Sequence, residues 1–185
     1  FLAVMPISVS ATEYLECDNI TFEVNKALGA AVITKRGENP FMKTYSFDGY
    51  SVSILHVVCD EGTYVFYGYA NSGDPFNYYD AFFVVMDENG EVLHEEFSDY
   101  EGNEETTGVV WIDQVLFVIT RVDDLGDRLN DIDPEFDYYI VQTYDVNYQE
   151  LDVLAIEDEI LRYESTDELL LLYYTYQGQV DIGLD

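Results

Sequence analysis

The feature that most constrains the fold is a strand–turn–strand pattern that recurs along the chain. Residues 80–93, DAFFVVMDENGEVL, place an apolar run before the turn sequence DENG at 87–90. The run is too short for a typical helix, and its aromatic and β-branched side chains suit a strand covered on both faces. Asn-Gly is a strong hairpin signal, because both residues tolerate a positive φ. The stretch therefore predicts two antiparallel strands joined by a tight turn.

Two further stretches have the same pattern, so the hairpin belongs to a repeat. They start at residues 29 and 137, which gives steps of 51 and 57 around residue 80. A second series at 64–69, 115–120 and 169–174 is offset from the first, and Phe66, Phe117 and Leu171 are separated by 51 and 54 residues. Two offset series with nearly the same step predict a tandem repeat.

Each repeat unit is predicted to hold four antiparallel strands. The expected strands are about 41–47, 52–59, 63–70 and 80–87, then 92–97, 107–112, 115–120 and 138–144, then 151–156, 159–164 and 169–176. Residues 60–62 and 112–114 are short connections between strands. A helix over 151–172 is the alternative for the last segment, since Glu and Leu are good helix formers. Four strands per ~40–50 residues are typical of a propeller blade.

The predicted fold is therefore all-β, with about three propeller-like units of four-stranded antiparallel blades in a single repeat domain spanning 1–185. The units fall at roughly 37–88 and 89–145, with partial units at 1–36 and 146–185. Propellers have about four to eight blades, so three units do not close a ring. We expect a longer parent chain, an oligomer that completes the ring, or an open stack.

The segment from Gly68-Tyr69 through residues 80–93 resembles the β-propeller repeats of bacterial secreted proteins and surface lipoproteins. One unit matches well and the two flanking units match loosely, together covering most of residues 29–176. In that family a Trp usually closes the returning strand, whereas His94 follows Leu93 here. The resemblance implies a scaffold for binding that carries no shared catalytic residues.

Charge restricts the partners. Seven basic residues against 38 acidic residues give a net charge of −31. Nucleic acid and anionic membrane surfaces are excluded as partners by repulsion. No apolar segment is long enough to insert into a membrane. Protein and carbohydrate remain as partner classes, together with self-assembly.

The expected location is extracellular or at the cell surface. Residues 1–11, FLAVMPISVSA, match either the end of a secretory signal or a strand of a partial unit. Cys17 and Cys59 are either reduced core residues or a single disulfide, and their spacing does not decide between these.

A calcium site is the one cofactor that the sequence suggests. The loop VDDLGDRLNDIDPEFD at 122–137 is crowded with carboxylates, and Ca²⁺ takes six to eight oxygen ligands. The candidate ligands are Asp123, Asp124, Asp127, Asp131 and Asp133. Their spacing is not that of an EF-hand, and a solvated acidic loop without a cofactor is the favoured alternative.

Aromatic and acidic side chains together suit sugar or peptide recognition, because rings stack and carboxylates accept hydrogen bonds. Two loops carry such clusters, and their candidate ligand-binding residues are Asp74, Phe76, Tyr78 and Tyr79, with Tyr138 and Tyr139. His56 and His94 lack a nearby nucleophile elbow, so both are interpreted as structural histidines. We expect a non-enzymatic binding scaffold for protein or carbohydrate, with a polysaccharide hydrolase subunit or a structural subunit of a surface assembly as alternatives.

Overall fold

The structure is a computed structural model that describes residues 12–17, 19–25, 29–47, 50–60, 62–71, 79–98, 103–123, 137–156, 160–166, 169–174 and 179–183. These residues form fifteen strands, which confirms the all-β prediction. The described part of the segment 151–172 forms strands rather than the alternative helix. Within the described ranges, no helix could cross a membrane. Residues 1–11 lie outside these ranges.

The strands form four antiparallel sheets in chain order, each a simple meander. Sheet 1 contains β1 (Thr12–Cys17), β2 (Ile20–Asn25), β3 (Ala30–Lys35) and β4 (Phe41–Ser46). Sheet 2 contains β5 (Ser51–Asp60), β6 (Thr63–Asn71), β7 (Tyr79–Met86) and β8 (Val92–Phe97). Sheet 3 contains β9 (Asn103–Ile112), β10 (Val115–Asp123), β11 (Asp137–Tyr144) and β12 (Glu150–Ile156). Sheet 4 contains β13 (Ile160–Ser165), β14 (Leu169–Tyr174) and β15 (Gln179–Gly183).

Each pair of successive sheets encloses its own apolar core. Phe22 of β2 packs with Phe66 of β6 in the first core, with ring centroids 5.4 Å apart. The second core joins sheets 2 and 3, and the third joins Phe117 of β10 to Leu172 of β14. Side chains alternate between the two faces of a strand, so Phe66 faces sheet 1 while its neighbour Val65 faces sheet 3. Sheet 2 is therefore covered on both faces, as its apolar runs predict.

The observed sheets are displaced by one strand from the predicted units. The prediction ended a unit at residue 88, whereas sheet 2 runs from β5 through β8. The cause is the β7–β8 hairpin, in which Asp87 N–H donates to Glu91 O at 2.9 Å and Gly90 N–H donates to Asp87 O at 3.0 Å. A turn this tight places both strands in one sheet. The described residues also form four sheets rather than about three units, because β1, β2 and β3 lie within residues 1–36, the segment predicted to be a partial unit, and form a sheet with β4.

The positive φ in the β7–β8 turn falls on Gly90, at 73°, and not on Asn89. This is a three-residue hairpin loop, with a type I turn followed by a left-handed glycine. The predicted hairpin is confirmed, with the positive φ at the glycine of the Asn-Gly pair.

Sheets 1, 2 and 3 share one orientation, so equivalent turns lie at the same end. Lys35 at the end of β3 donates from Nζ to Glu88 O in the β7–β8 turn at 2.7 Å. At the opposite end, Tyr79 N–H donates to Asn103 Oδ1 at 3.2 Å. We call the end with the β3–β4, β5–β6, β7–β8, β9–β10 and β11–β12 turns the hairpin end, and the other the crossover end.

A disulfide joins the first strands of sheets 1 and 2. Cys17 of β1 and Cys59 of β5 are bonded, with 6.1 Å between their Cα atoms. The sequence left this pairing open, and the structure resolves it as a bridge. Because it links the edge strands of neighbouring sheets, it holds the two sheets together independently of their shared core.

Candidate functional site

A cleft opens at the hairpin end between sheets 2 and 3. Its volume is about 470 Å³. Three turns supply the walls, the β5–β6, β9–β10 and β11–β12 connections. The lining residues are Asp60, Thr63, Trp111, Asp113, Gln114, Val146 and Tyr148. The cleft therefore combines two aromatic rings with two carboxylates, an amide and a hydroxyl.

Three of the lining residues have a left-handed backbone. The φ angles are 41° at Asp113, 70° at Gln114 and 59° at Tyr148. Among the described residues only one other non-glycine has a positive φ, Asn39 at 48° in the β3–β4 turn. A positive φ is uncommon for a residue with a side chain, and glycine is the usual occupant. The unfavourable backbone conformations are thus concentrated at the cleft.

The β11–β12 turn repeats the β7–β8 turn atom for atom in its hydrogen bonds. Asp145 N–H donates to Gln149 O at 3.0 Å, and Tyr148 N–H donates to Asp145 O at 2.9 Å. The Asp145 carboxylate accepts from Asn147 N–H at 2.8 Å and from Gln149 N–H at 2.9 Å. The Asp87 carboxylate accepts from Asn89 and Glu91 in the same way. Tyr148 therefore stands where sheet 2 has a glycine, and Val146 stands where sheet 2 has Glu88.

Neighbouring side chains explain why the two turns differ. A Cβ at Gly90 would lie 2.6 Å from the Phe41 ring of β4, so this position has no room for a side chain. In sheet 3 the turn supplies the ring itself. Tyr148 stacks on His94 of β8, with centroids 5.4 Å apart and planes at 15°, and meets Trp111 edge-on at 6.2 Å. Burial raises the pKa of Tyr148.

His94 is held in place by a carboxylate. Its Nε2 lies 3.3 Å from Glu96 Oε2, and Tyr144 OH donates to Glu96 Oε1 at 2.8 Å. The imidazole packs against Phe83 as well as Tyr148. His94 thus supports the Tyr148 ring that lines the cleft, in agreement with its interpretation as a structural histidine. His56 is exposed on β5 beside Tyr67, with centroids 5.5 Å apart.

Only one of the five predicted metal ligands lies in the part of the chain that the structure describes. Asp123 ends β10, while Asp124, Asp127, Asp131 and Asp133 lie outside the described residues. No group of three or more His, Cys, Asp or Glu is arranged to hold a metal ion in the part of the chain that the structure describes.

Of the predicted ligand-binding residues, Tyr79, Tyr138 and Tyr139 are described, and they lie on strands at the crossover end, away from the cleft. Asp74, Phe76 and Tyr78 fall outside the described residues. Tyr79 is half-buried and meets the Tyr69 ring edge-on at 5.1 Å. Tyr138 is half-buried in β11. Tyr139 is 6% exposed and packs in the third core, which leaves little of its ring for a ligand.

The sequence interpretation identified 60–62 and 112–114 as turns but did not recognise a site there. The usable signal is Asp113-Gln114, a two-residue hairpin without the glycine that such a turn favours. Trp111, the single tryptophan of the chain, lies next to Ile112, the last residue of the strand that enters this hairpin.

No protein-family model matches the chain, and no curated protein sequence matches it.

Proposed function

We propose that the protein is a non-enzymatic binding scaffold of the extracellular space or cell surface, and that the cleft at its hairpin end is the binding site. The ligand class is a protein segment or a carbohydrate. Trp111 and Tyr148 offer ring surface, and the carboxylates and amide of the lining offer hydrogen-bond acceptors and donors. The strand ends and tight turns of sheets 2 and 3 hold these groups at the cleft.

The observation that carries this proposal is the left-handed backbone at Asp113, Gln114 and Tyr148. Each residue would be less strained as glycine. Strained backbone positions concentrate at ligand clamps and other functional sites, because the surrounding structure keeps them for the side chain they present. The three left-handed residues therefore support a need for their side chains in the cleft.

The location is supported by the Cys17–Cys59 bridge. Structural disulfides persist in oxidising compartments and are rare in the cytosol. The bridge, the high acidic charge and the resemblance to secreted repeats all agree with an extracellular site of action.

We also propose that the four sheets are blades fanned around an axis, as in a propeller. Face-to-face sheets lie about 10 Å apart, so the second and fourth sheets of a parallel stack would be about 20 Å apart. Tyr67 of β6 and Tyr163 of β13 nevertheless share a hydrogen bond. Sheets 2 and 4 therefore converge on one side of sheet 3, which favours a fan over a parallel stack.

The test uses glycine substitutions whose effects on stability and binding have opposite signs. Gln114→Gly should raise the free energy of unfolding by roughly 0.5–1 kcal/mol, because it relieves a left-handed backbone. It should also weaken binding, because it removes a side chain from the cleft. Binding is measured on a panel of neutral oligosaccharides and extended peptides, with Trp111 fluorescence as the reporter.

The matched control is Asn39→Gly, at the other left-handed non-glycine position among the described residues, which is not one of the cleft-lining residues. It should leave binding unchanged, and its stability gain should be smaller because Asn tolerates this conformation. If Gln114→Gly and Asn39→Gly have the same effect on every ligand that binds, the cleft is not the site.

A structural subunit that assembles with its own copies is the second candidate, favoured by β12. This strand lies at the edge of sheet 3 and exposes Leu151, Val153 and Leu154 by 57%, 45% and 39%. Edge strands with exposed apolar side chains pair readily with other chains. Light scattering over a concentration series tests it, and Val153→Lys should abolish any assembly that β12 mediates.

A further inference from the structure

We infer that the cleft takes a cationic side chain, the ammonium of a Lys or the guanidinium of an Arg in a basic peptide segment. This deepens the proposed function and rests on it, since it names the chemistry of the ligand for the same site.

Charge is the first argument. Asp60 and Asp113 line the cleft and are exposed, and neither is in an ion pair within the described part of the chain. The lining residues that the structure describes include no Lys, Arg or His. The whole chain carries a net charge of −31, so its field adds to that of the two carboxylates. A cleft of one sign concentrates ligands of the opposite sign and speeds their association.

Ring geometry is the second argument. The planes of Trp111 and Tyr148 are at 70° to each other, so the rings form a corner rather than a flat platform. One face of Tyr148 is already covered by His94. A compact cation fits such a corner, since it can lie over one ring face while it faces a carboxylate. A sugar ring instead needs an open, flat aromatic face.

The space between sheets 1 and 2 already holds a cation at the hairpin end. Between sheets 1 and 2, the Lys35 ammonium donates to the carbonyl oxygen of Glu88 in the β7–β8 turn. The equivalent residue of the β11–β12 turn is Val146, which lines the cleft. Lys35 is only 8% exposed, so the chain buries its own cation against the first of the two turns. The β11–β12 turn instead borders the open cleft between sheets 2 and 3.

A second lysine in that neighbouring space shows the same combination of ring and carboxylate. The Lys43 ammonium lies 5.8 Å from the centroid of the Phe41 ring and pairs with the Glu91 carboxylate. Cation, ring and carboxylate therefore already meet at the hairpin end between sheets 1 and 2. Between sheets 2 and 3 the ring and carboxylates are present, and the cation would come from the partner.

The probe is tetralysine, compared with tetralysine acetylated on every Nε, which has the same backbone without side-chain charge. Binding is followed by Trp111 fluorescence and by calorimetry. We expect tetralysine to bind, with an affinity that falls as NaCl is raised. The acetylated peptide should bind at least about tenfold more weakly, because it has lost both the Coulombic and the cation–π attraction.

The cleft variant is Asp60→Asn with Asp113→Asn, and its matched control is Glu16→Gln with Glu38→Gln. Both remove two exposed carboxylates, and the control pair lies in sheet 1 and its β3–β4 turn. We expect the cleft variant to lose about tenfold in affinity for tetralysine and the control to lose less than about twofold. Equal losses would show diffuse binding to an acidic surface and overturn the inference.

A neutral oligosaccharide, chitotetraose, separates this inference from the proposed function. If chitotetraose binds in a manner that Gln114→Gly weakens while tetralysine does not bind, the site stands and the cationic ligand is wrong. If neither probe binds at the cleft, both the site and its ligand class are overturned. Melting temperatures of the variants that are no lower than that of wild type exclude loss of fold as the cause.

Discussion

The hydroxyl groups of Tyr67 in sheet 2 and Tyr163 in sheet 4 share a hydrogen bond, although sheet 3 lies between the two sheets in chain order. Gly108 of β9 is next to this contact. A Cβ built at Gly108 would lie 2.6 Å from the Tyr163 ring. Because Gly108 has no side chain, the tyrosines of sheets 2 and 4 can meet beside β9. Residues of three sheets are therefore in contact at this point.

Gly108→Ala is predicted to destabilise the protein by about 1–3 kcal/mol, because the added methyl group overlaps the Tyr163 ring in a packed interior. Urea unfolding measures the change. In a Tyr163→Leu background the same substitution should cost less, since the ring that it strikes has been removed. An equal cost in both backgrounds would mean that the close approach to Tyr163 is not what excludes a side chain at Gly108.

High pH should weaken the fold through the same tyrosines. Burial raises the pKa of Tyr67, and the charge and hydrogen bond of Tyr163 raise it further, while burial also raises the pKa of Tyr163. The unfolded-state pKa is near 10.0. Because the folded pKa values lie higher, their stabilising contribution is complete below pH 10.0 and declines as the pH rises above it.

Urea unfolding from neutral pH to above pH 10 measures this decline. Tyr67→Phe should flatten the alkaline limb, because Phe has no proton to lose. Tyr14→Phe, at an exposed tyrosine of β1, is the control and should leave the limb unchanged. The same slope in wild type and Tyr67→Phe would contradict the assignment.

The local structure could be predicted from the sequence, and the contacts between sheets could not. The apolar run at 81–86 and the turn at 87–90 are local signals, and both are borne out by β7 and its hairpin. The contact between Tyr67 and Tyr163 joins residues far apart in the chain, and no periodicity encodes it. The cleft was missed for a related reason, since its walls come from three separate turns. Asp113-Gln114 gave a local signal, a hairpin without glycine, but not the neighbours that make it a site.

Loss of the Cys17–Cys59 bridge is predicted to cost up to about 4 kcal/mol, because the bond closes a loop between residues 42 positions apart in the unfolded chain. The measurement is urea unfolding of the Cys17→Ala, Cys59→Ala double variant against wild type. Wild type treated with a reducing agent should approach the stability of the variant. A variant as stable as the oxidised protein would show that the bridge contributes nothing beyond the first core.

Acid should destabilise the two equivalent turns. Burial acts to raise the pKa of Asp87, but hydrogen bonds from Glu91 and Asn89 and the charge of Lys43 lower it overall. The backbone N–H of Gln149, followed by the amide groups of Asn147, lowers the pKa of Asp145. Since both folded values lie below 3.8, the turns contribute fully above that pH and lose their contribution as the pH falls below it.

Asp87→Ala should therefore lower stability by about 1 kcal/mol at neutral pH and make no difference in strong acid. Asp152→Ala, an exposed carboxylate outside the two turns, is the comparison. Thermal melting over a pH series checks both. A penalty for Asp87→Ala that persists undiminished in acid would show that the carboxylate charge is not what the turn requires.

The response to salt separates general screening from a specific cation. With a net charge of −31, self-repulsion opposes the folded state, so NaCl should raise the melting temperature. CaCl₂ at matched ionic strength should raise it by the same amount if the acidic loop between β10 and β11 is only solvated, which we expect. A cation bound to the native state alone adds stability by mass action, so a calcium site would appear as an extra rise that EDTA reverses. Asp124→Asn with Asp127→Asn decides whether such a rise comes from this loop, because a calcium site there would lose it while the NaCl response remained.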